Sequence, residues 1–373
     1  IGYFTDEKNP ILKDHALKVL SDPYSYKKST VRAMLDYAMR LPLMDAAPSV
    51  RKMIEDDNRD FLDKTVQTLG KIGSSEDAKY LVGYMSGEIE GDEKTRLIIR
   101  QNVMTAIGEL KCSEIAPDLI EIARDEDENT VIRATAGVAA GKLLDSNAIP
   151  ALVDFFSNTD PILRSAAING LSNFDTPEAR SILMEGIKDS HYKVRLDSID
   201  AVTRAKMDES VDFLLFRART DPVEQVRIKA IESLAIFGGS ASNDWLVESF
   251  KDEKATDKVR VRIASSLLEK NPALLMADFN KVILGTLKDD KKKELRYAFG
   301  KLITEKNVAD SEPIAIAYLS HKDTLTKSIG LDMYEKFKFP GVTEIVEGIA
   351  KDDKMGALQR RAKKILGITD VSK

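Results

Sequence analysis

The chain is 373 residues long, with 31% charged and 6% aromatic side chains and a formal net charge of −5 at pH 7. That acidic balance argues against a general nucleic-acid binder, which needs a basic stripe, and the scarcity of aromatic and β-branched runs disfavours a sheet. Cys112 is the single cysteine, so neither an intramolecular disulfide nor a thiolate metal cluster can form, and no apolar run approaches the ~20 residues of a membrane span.

Read in order, the chain repeats itself. Each repeat is expected to be two antiparallel helices, A and B, joined by a polar turn. The A helices are predicted over about 10–21, 45–56, 76–89, 114–125, 148–157, 178–188, 209–219, 243–251, 274–287, 312–319 and 342–351. The eleven B helices carry an Arg, or a substitute, at Arg32, Leu62, Arg100, Arg133, Arg164, Arg195, Arg227, Arg260, Arg296, Lys327 and Gln359. Seven positions later stand Met39, Leu69, Ile107, Ala140, Leu171, Val202, Leu234, Leu267, Ile303, Tyr334 and Leu366, all apolar or aromatic. Two helical turns separate the columns, so both belong beside one buried seam. Recurrence at this period marks stacked supersecondary units.

Turn signals fall between the helices, among them Gly73-Ser74-Ser75, Asn158-Thr159-Asp160-Pro161, Asp221-Pro222, Gly238-Gly239-Ser240 and Pro340-Gly341. In the unit from Thr176 to Asp208, Thr176 (or Asp175) suits the N-cap and Pro177 the first helical position. Spacing breaks twice. An acidic insertion at 86–92 lengthens one repeat and is a candidate functional loop; a longer helix A after Pro272 lengthens another. The predicted fold is all-α: an α-solenoid (right-handed superhelix) of about eleven antiparallel helix pairs. It is read as one domain over 1–373, with the terminal pairs, about 9–41 and 341–368, as caps. Arg360, Arg361, Lys363 and Lys364 suit the polar outer face of the second cap.

Val226-Arg227, Ala230-Ile231 and Leu234 display the whole B-helix pattern: a hydrophobic-Arg start, a small or apolar pair three and four residues on, and an aliphatic residue at seven. This resembles the HEAT-repeat superfamily, particularly bacterial members similar to phycobilisome-lyase-type repeats. The resemblance implies a concave side lined by B helices and an Asp in the intra-repeat turn that meets the Arg. Asp127, Asp189, Asp221 and Asp290 stand six residues before Arg133, Arg195, Arg227 and Arg296, and Asn158 stands there before Arg164; Lys94 and Lys254 break the series before Arg100 and Arg260. Arg133, Arg164, Arg195, Arg227, Arg260 and Arg296 are therefore read as a structural ladder, because a guanidinium near a buried seam needs fixed acceptors.

No constellation points to catalysis. His15, His191 and His321 lie in separate repeats, too far apart along a solenoid to converge on a metal. HEAT-type di-iron hydroxylases use His-Glu pairs, whereas Ala16, Tyr192 and Lys322 follow the histidines here. Cys112 has no nearby base and is read as a passive thiol. Gly238-Gly239 lacks the strand-glycine-helix context of a nucleotide fold. HEAT-like DNA glycosylases need a basic groove with aromatics; Trp245, the only Trp, is expected in the core.

Positions two, five and nine after the Arg should leave the seam and face the concave side. Candidate binding residues there are Asn169, Asn173, Asp200, Arg204, Glu232 and Ile236, with Met34 and Tyr37 in the first unit. The expected function is a non-catalytic scaffold for another protein or peptide, with no cofactor or metal and no nucleic acid favoured. The alternatives are a lyase- or chaperone-like protein acting on a small ligand or chromophore protein, and a nucleic-acid binder. Oligomeric state stays open. The compartment is cytoplasmic or, if a leader was removed before Ile1, periplasmic or in the cell envelope.

Overall fold

A computed structural model describes residues 9–56, 59–87 and 89–368 of the chain. The helices form eleven A–B pairs, with no strand among the described residues. Their contacts divide into two compact units, Ile1–Ala205 and Lys206–Lys373. In unit 1 the helices are α1 (Lys13–Ser21), α2 (Lys28–Arg40), α3 (Ala47–Glu55), α4 (Leu62–Ile72), α5 (Ser75–Ser86), α6 (Glu93–Glu109), α7 (Ala116–Arg124), α8 (Thr130–Lys142), α9 (Ala148–Phe156), α10 (Pro161–Leu171), α11 (Pro177–Gly186) and α12 (Tyr192–Arg204). Unit 2 holds α13 (Val211–Thr220), α14 (Glu224–Phe237), α15 (Gly239–Lys251), α16 (Asp257–Lys270), α17 (Pro272–Thr286), α18 (Lys293–Glu305), α19 (Glu312–Ser320), α20 (Thr324–Phe337), α21 (Thr343–Lys351) and α22 (Ala357–Leu366).

Odd-numbered helices are the A helices and even-numbered ones the B helices. Within each unit every B helix packs on the next B helix, and A helices neighbour A helices, giving two layers. This is an all-α solenoid. The apolar column seven residues after the Arg is its seam: Leu69, Ile107, Leu171, Val202, Leu234, Leu267 and Ile303 are fully buried, and only Met39 and Leu366, near the two ends, are half-buried.

A second column sets how closely the B helices of unit 1 approach. Residue eight after the reference position meets residue six of the following B helix. A Cβ built on Gly70 would lie 2.8 Å from Ala106 Cα, one on Gly108 3.0 Å from Ala139 Cα, and one on Gly141 2.6 Å from Gly170 O. Glycine is required at those three positions because backbone meets backbone.

Both turns recur with the same chemistry in more than half of the repeats. Between A and B an Asx turn forms: Asp125, Asn158, Asp189, Asp221, Asp252, Asp289 and Asp352 each accept the backbone N–H two residues on with a side-chain oxygen. Between B and the next A, the residue eleven after the Arg enters the left-handed region. Lys111, Leu144, Lys206, Asn307 and Lys338 do so with φ of 51–60° in place of the glycine usual there, and Gly238 does so at 68°. In unit 2, Phe250, Phe279 and Phe299 pack with ring centroids 5.6–6.2 Å apart, joining α15, α17 and α18.

Two expectations change. Met34 and Tyr37 do not line an open face: both are fully buried. The N-terminal segment covers them, with the Tyr37 hydroxyl donating to Asn9 O and accepting from Leu12 N–H at 3.3 Å. The insertion at 86–92 includes Glu88, which lies outside the described residues.

Candidate functional site

The Arg column and the outward B-helix faces were the two candidates, and the first resolves into helix capping. Where the Asx residue stands six before the Arg, the guanidinium reaches back to the turn's own carbonyls. Arg164 Nη1 donates to Asn158 O and Thr159 O at 3.1 and 2.7 Å, Arg195 Nη1 to Asp189 O and Ser190 O at 2.9 Å, and Arg227 Nη1 to Asp221 O at 2.6 Å. Where the turn is longer and the Asx residue stands seven or eight before, the acceptor moves to the tenth residue back, at the end of helix A. Arg133 Nε donates to Ala123 O at 3.2 Å, Arg260 Nε to Phe250 O at 2.9 Å and Arg296 Nη1 to Thr286 O at 2.9 Å. A cation at a helix C-terminus satisfies orphan carbonyls and complements the dipole.

The expected carboxylate–Arg contact within each turn is therefore replaced by a carbonyl contact. The carboxylates serve other partners. Asp189 takes Arg164 of the preceding pair, Nε to Oδ2 at 2.8 Å and Nη2 to Oδ1 at 2.9 Å, and Asp290 takes Lys322 at 2.7 Å. Asp127 is not the turn's acceptor; Asp125 is, two residues earlier. Burial alone would raise the Asp189 carboxyl, but hydrogen bonds from Arg164 and the His191 N–H hold it below its ordinary value.

On the outward face of unit 1, the structure brings Asn169 to its neighbours on α10 and α12. Asn169 Nδ2 donates to Ser165 O at 3.0 Å and to Asp197 Oδ2 at 3.3 Å, and Ser165 Oγ donates to the same carboxylate. Asn173 Nδ2 turns back to Asn169 O and Gly170 O, closing the end of α10. Arg204 Nη2 donates to Ser172 Oγ at 3.4 Å, and Asp200 is half-buried on the same helix. Ile98 and Ile162, each two residues before an Arg, are 48% and 46% exposed. Along the opposite edge Glu109 bridges Lys71 at 2.6 Å and Lys142 at 2.5 Å, which draws its pKa down to about 2.

In unit 2, Glu232 reaches Arg262 of the next B helix at 3.0 Å, while Ile236 is half-exposed at the end of α14. Arg262 stands on the rim of a groove of about 610 Å3 running across α14, α16 and α18. Its floor is Ile228, Val261, Leu295, Ala298 and Leu302, and its rim holds Glu224, Asp257, Glu294 and Glu305 against Lys258 and Arg262. Lys258 is paired to Glu224 at 3.0 Å, so the rim keeps an acidic surplus. Arg262, Ser265, Ala298 and Glu305 of this groove stand at positions two, five and nine after their Arg; the remaining lining residues, three, two and one before it and one and six after it, lie outside those positions. The signal was present as the apolar residues Ile228 and Val261 directly after their Arg.

Elsewhere the chemistry is sparse. Among the described residues no group of three or more His, Cys, Asp or Glu is arranged to hold a metal ion, and no helix is long and apolar enough to cross a membrane. Cys112 is buried. Trp245 is half-buried, not in the core, with the Arg219 guanidinium 5.7 Å from its ring centroid.

Stacked helix pairs, six of them with a guanidinium capping the end of helix A or its turn, define a helical-repeat solenoid. Residues 1–365 match the family described as Spirochaete HEAT repeat protein, and the chain belongs to that family. No curated protein matches. Among solved structures, Escherichia coli YibA is similar at 15% identity over 72% of this chain and 95% of that one, with a TM-score of 0.40. The CpcE–CpcF phycocyanin lyase complex of Nostoc sp. PCC7120 is similar at 16% identity over 70% and 93%, with a TM-score of 0.36. Kap95p, in a structure with RanGDP, is similar at 11% identity over 95% and 61%, with a TM-score of 0.43.

Proposed function

We propose that the chain is a non-catalytic scaffold that binds a basic amphipathic segment of a partner protein. The segment docks in the groove across α14, α16 and α18. The single observation behind this reading is the groove's make-up: a floor of Ile228, Val261 and Ala298 within an acidic surplus of Asp257, Glu294 and Glu305. An apolar floor takes the hydrophobic anchors of an amphipathic helix. Unpaired carboxylates at the rim favour a basic partner and speed its encounter. Glu232, through its hold on Arg262, keeps that cation on the rim; Ile236 extends the apolar surface along α14. Asn169, Asn173, Asp200 and Arg204 form a separate polar face in unit 1 that suits a second contact.

The test places a photo-crosslinking amino acid at Val261 in cells that express the chain. The expected result is one reproducible protein adduct whose yield falls several-fold when Glu294 and Glu305 are both replaced by Lys. The crosslinked partner peptide should be basic. Absence of an adduct, or an adduct indifferent to the charge reversal, would refute the assignment.

A further inference from the structure

Three arginines of the column are buried, Arg195, Arg260 and Arg296, and Arg260 differs from the other two in its bonding. Arg164 ends on the Asp189 carboxylate and Arg100 on Glu128, with Nη1 to Oε1 at 3.0 Å. Arg296, fully buried, donates from Nε to Thr326 Oγ1 at 3.0 Å and from Nη1 to Thr286 O at 2.9 Å. Among the described residues no acid is hydrogen-bonded or ion-paired to Arg260; Asp257, Glu253 and Asp252 act on it only at longer range. Lys254 occupies the place held by Asp in other repeats, and Asp290, thirty residues on, is turned to Lys322. Arg260 is 4% exposed, and only its Nε is bonded, to Phe250 O at 2.9 Å. Among the described residues Nη1 and Nη2 have no hydrogen-bond partner. Burial pulls the guanidinium pKa below its ordinary value, against the opposing charge of Asp257, Glu253 and Asp252.

Arg260 lines a cavity of about 780 Å3 bounded by α15, α16 and α17. The side chains of Lys251, Lys281, Lys288 and Lys292 line it too, against Glu253 and Asp278. Both acids are already engaged, Glu253 with Lys292 at 3.0 Å and Asp278 with Lys251 at 3.6 Å. Lys281 and Lys288 are exposed and have no ion-pair partner among the described residues. Asn280, also in the lining, has a buried Oδ1 with no donor. The ends of α15 and α17 lie on this side, and the negative ends of their dipoles weigh against an anion. Their terminal carbonyls at Phe250 and Thr286, however, are already covered by Arg260 and Arg296. The longer helix A after Pro272 supplies the wall that carries Asn280 and Lys281, and Lys288 follows its C-cap.

We propose that this cavity binds a phosphate monoester. The two idle nitrogens of Arg260 offer the fork geometry that matches two oxygens of one phosphate. Lys281 and Lys288 supply the further charge a dianion needs. A hydroxyl of the ligand, or a protonated phosphate oxygen, gives Asn280 Oδ1 its missing donor. The cavity exceeds the size of phosphate alone and falls in the usual range of ligand pockets, about 300–1,000 Å3, so an organic remainder fits beside the anion. The site is independent of the groove on the B-helix face.

The test is calorimetric titration of the intact chain at low salt with glycerol 3-phosphate and with inorganic phosphate, alongside sedimentation with vesicles containing phosphatidate. Saturable binding of glycerol 3-phosphate, with a dissociation constant on the order of 1 mM or below, supports the site with a soluble ligand. Binding to the vesicles alone supports it with a lipid headgroup as the source. Arg260→Gln should weaken binding by about tenfold or more, the loss expected for a charge-assisted pair. Because Arg260 is buried, the exposed double variant Lys281→Ser/Lys288→Ser is the companion test, with Trp245 fluorescence as a check that unit 2 is folded. It should weaken binding about three- to tenfold and reduce the salt dependence. No saturable binding of any probe, or unchanged affinity in both variants, would overturn the proposal.

Discussion

The Arg164 guanidinium of one B helix grips the Asp189 carboxylate of the following repeat through two parallel hydrogen bonds, at 2.8 and 2.9 Å. The same Asp189 closes its own turn by accepting the His191 N–H at 2.7 Å and offers its backbone carbonyl to Arg195. One residue thus forms the turn, caps it and ties it to the preceding pair. Asp189→Asn keeps the Asx turn and the shape but removes the charge. It should lower stability by about 1–3 kcal/mol, the range for hydrogen bonds to charged groups, since the two side chains are only 13% and 7% exposed. Arg164→Lys should cost about as much, because an ammonium cannot make the two parallel bonds. In a solenoid the loss stays near its source. Hydrogen exchange should therefore quicken in α10 and α12 before it does in α2 or α4; uniform quickening would argue against the local account.

The helix pairs were legible in the sequence because burial imposes a period on side chains, and the columns at Arg and seven residues on report that period. Three features escaped for physical reasons. The Asp at six before the Arg marks the turn correctly, but its partner depends on turn length, which shifts the acceptor from the turn's carbonyls to Phe250 O or Ala123 O. The outward face also takes in the position directly after the Arg, because the helix turns it only partly into the seam. Ile228 and Val261, directly after their Arg, stay half-exposed on the groove floor, whereas Ala166, two residues after its Arg and expected to be open, is buried. Met34 and Tyr37 looked like surface positions because the segment that covers them, Asn9–Leu12, precedes the first full helix.

Gly141 should not tolerate a side chain. The Cβ of Gly141→Ala would lie 2.6 Å from Gly170 O and 2.8 Å from Gly170 Cα, and backbone cannot move aside as a rotamer can. Forcing α8 and α10 apart should destabilise unit 1 by about 1–3 kcal/mol, the usual cost of overpacking. Gly83→Ala is the control: nothing lies within 4 Å of its Cβ, and mid-helix alanine is favoured over glycine by about 1 kcal/mol. Denaturant midpoints should move in opposite directions for the two variants.

Leu144 sits at φ 60° with 64% of its surface exposed. A left-handed L-residue costs roughly 1–2 kcal/mol, and this side chain returns little by burial. Leu144→Gly should therefore stabilise the chain, by about 0.5–1 kcal/mol once glycine's larger unfolded-state freedom is subtracted. A lowered midpoint would mean that Leu144 makes a contact that its exposure conceals.

Glu109 links three consecutive B helices, α4, α6 and α8, through Lys71 and Lys142. The lysine hydrogen bonds hold its pKa at about 2 against an ordinary 4.5. A depressed folded-state carboxyl stabilises the fold fully above its unfolded value, and the contribution drains away as pH falls through the window from 4.5 to about 2. The nominal shift corresponds to about 3 kcal/mol, but Glu109 is 30% exposed and its lysines more so. Solvent screening leaves about 1 kcal/mol. Glu109→Gln should accordingly lower stability by about 1 kcal/mol at pH 7 and by almost nothing near pH 2, with the difference shrinking in high salt as the exposed lysines are screened. Equal destabilisation at both pH values would assign the effect to lost packing of the side chain rather than to its charge.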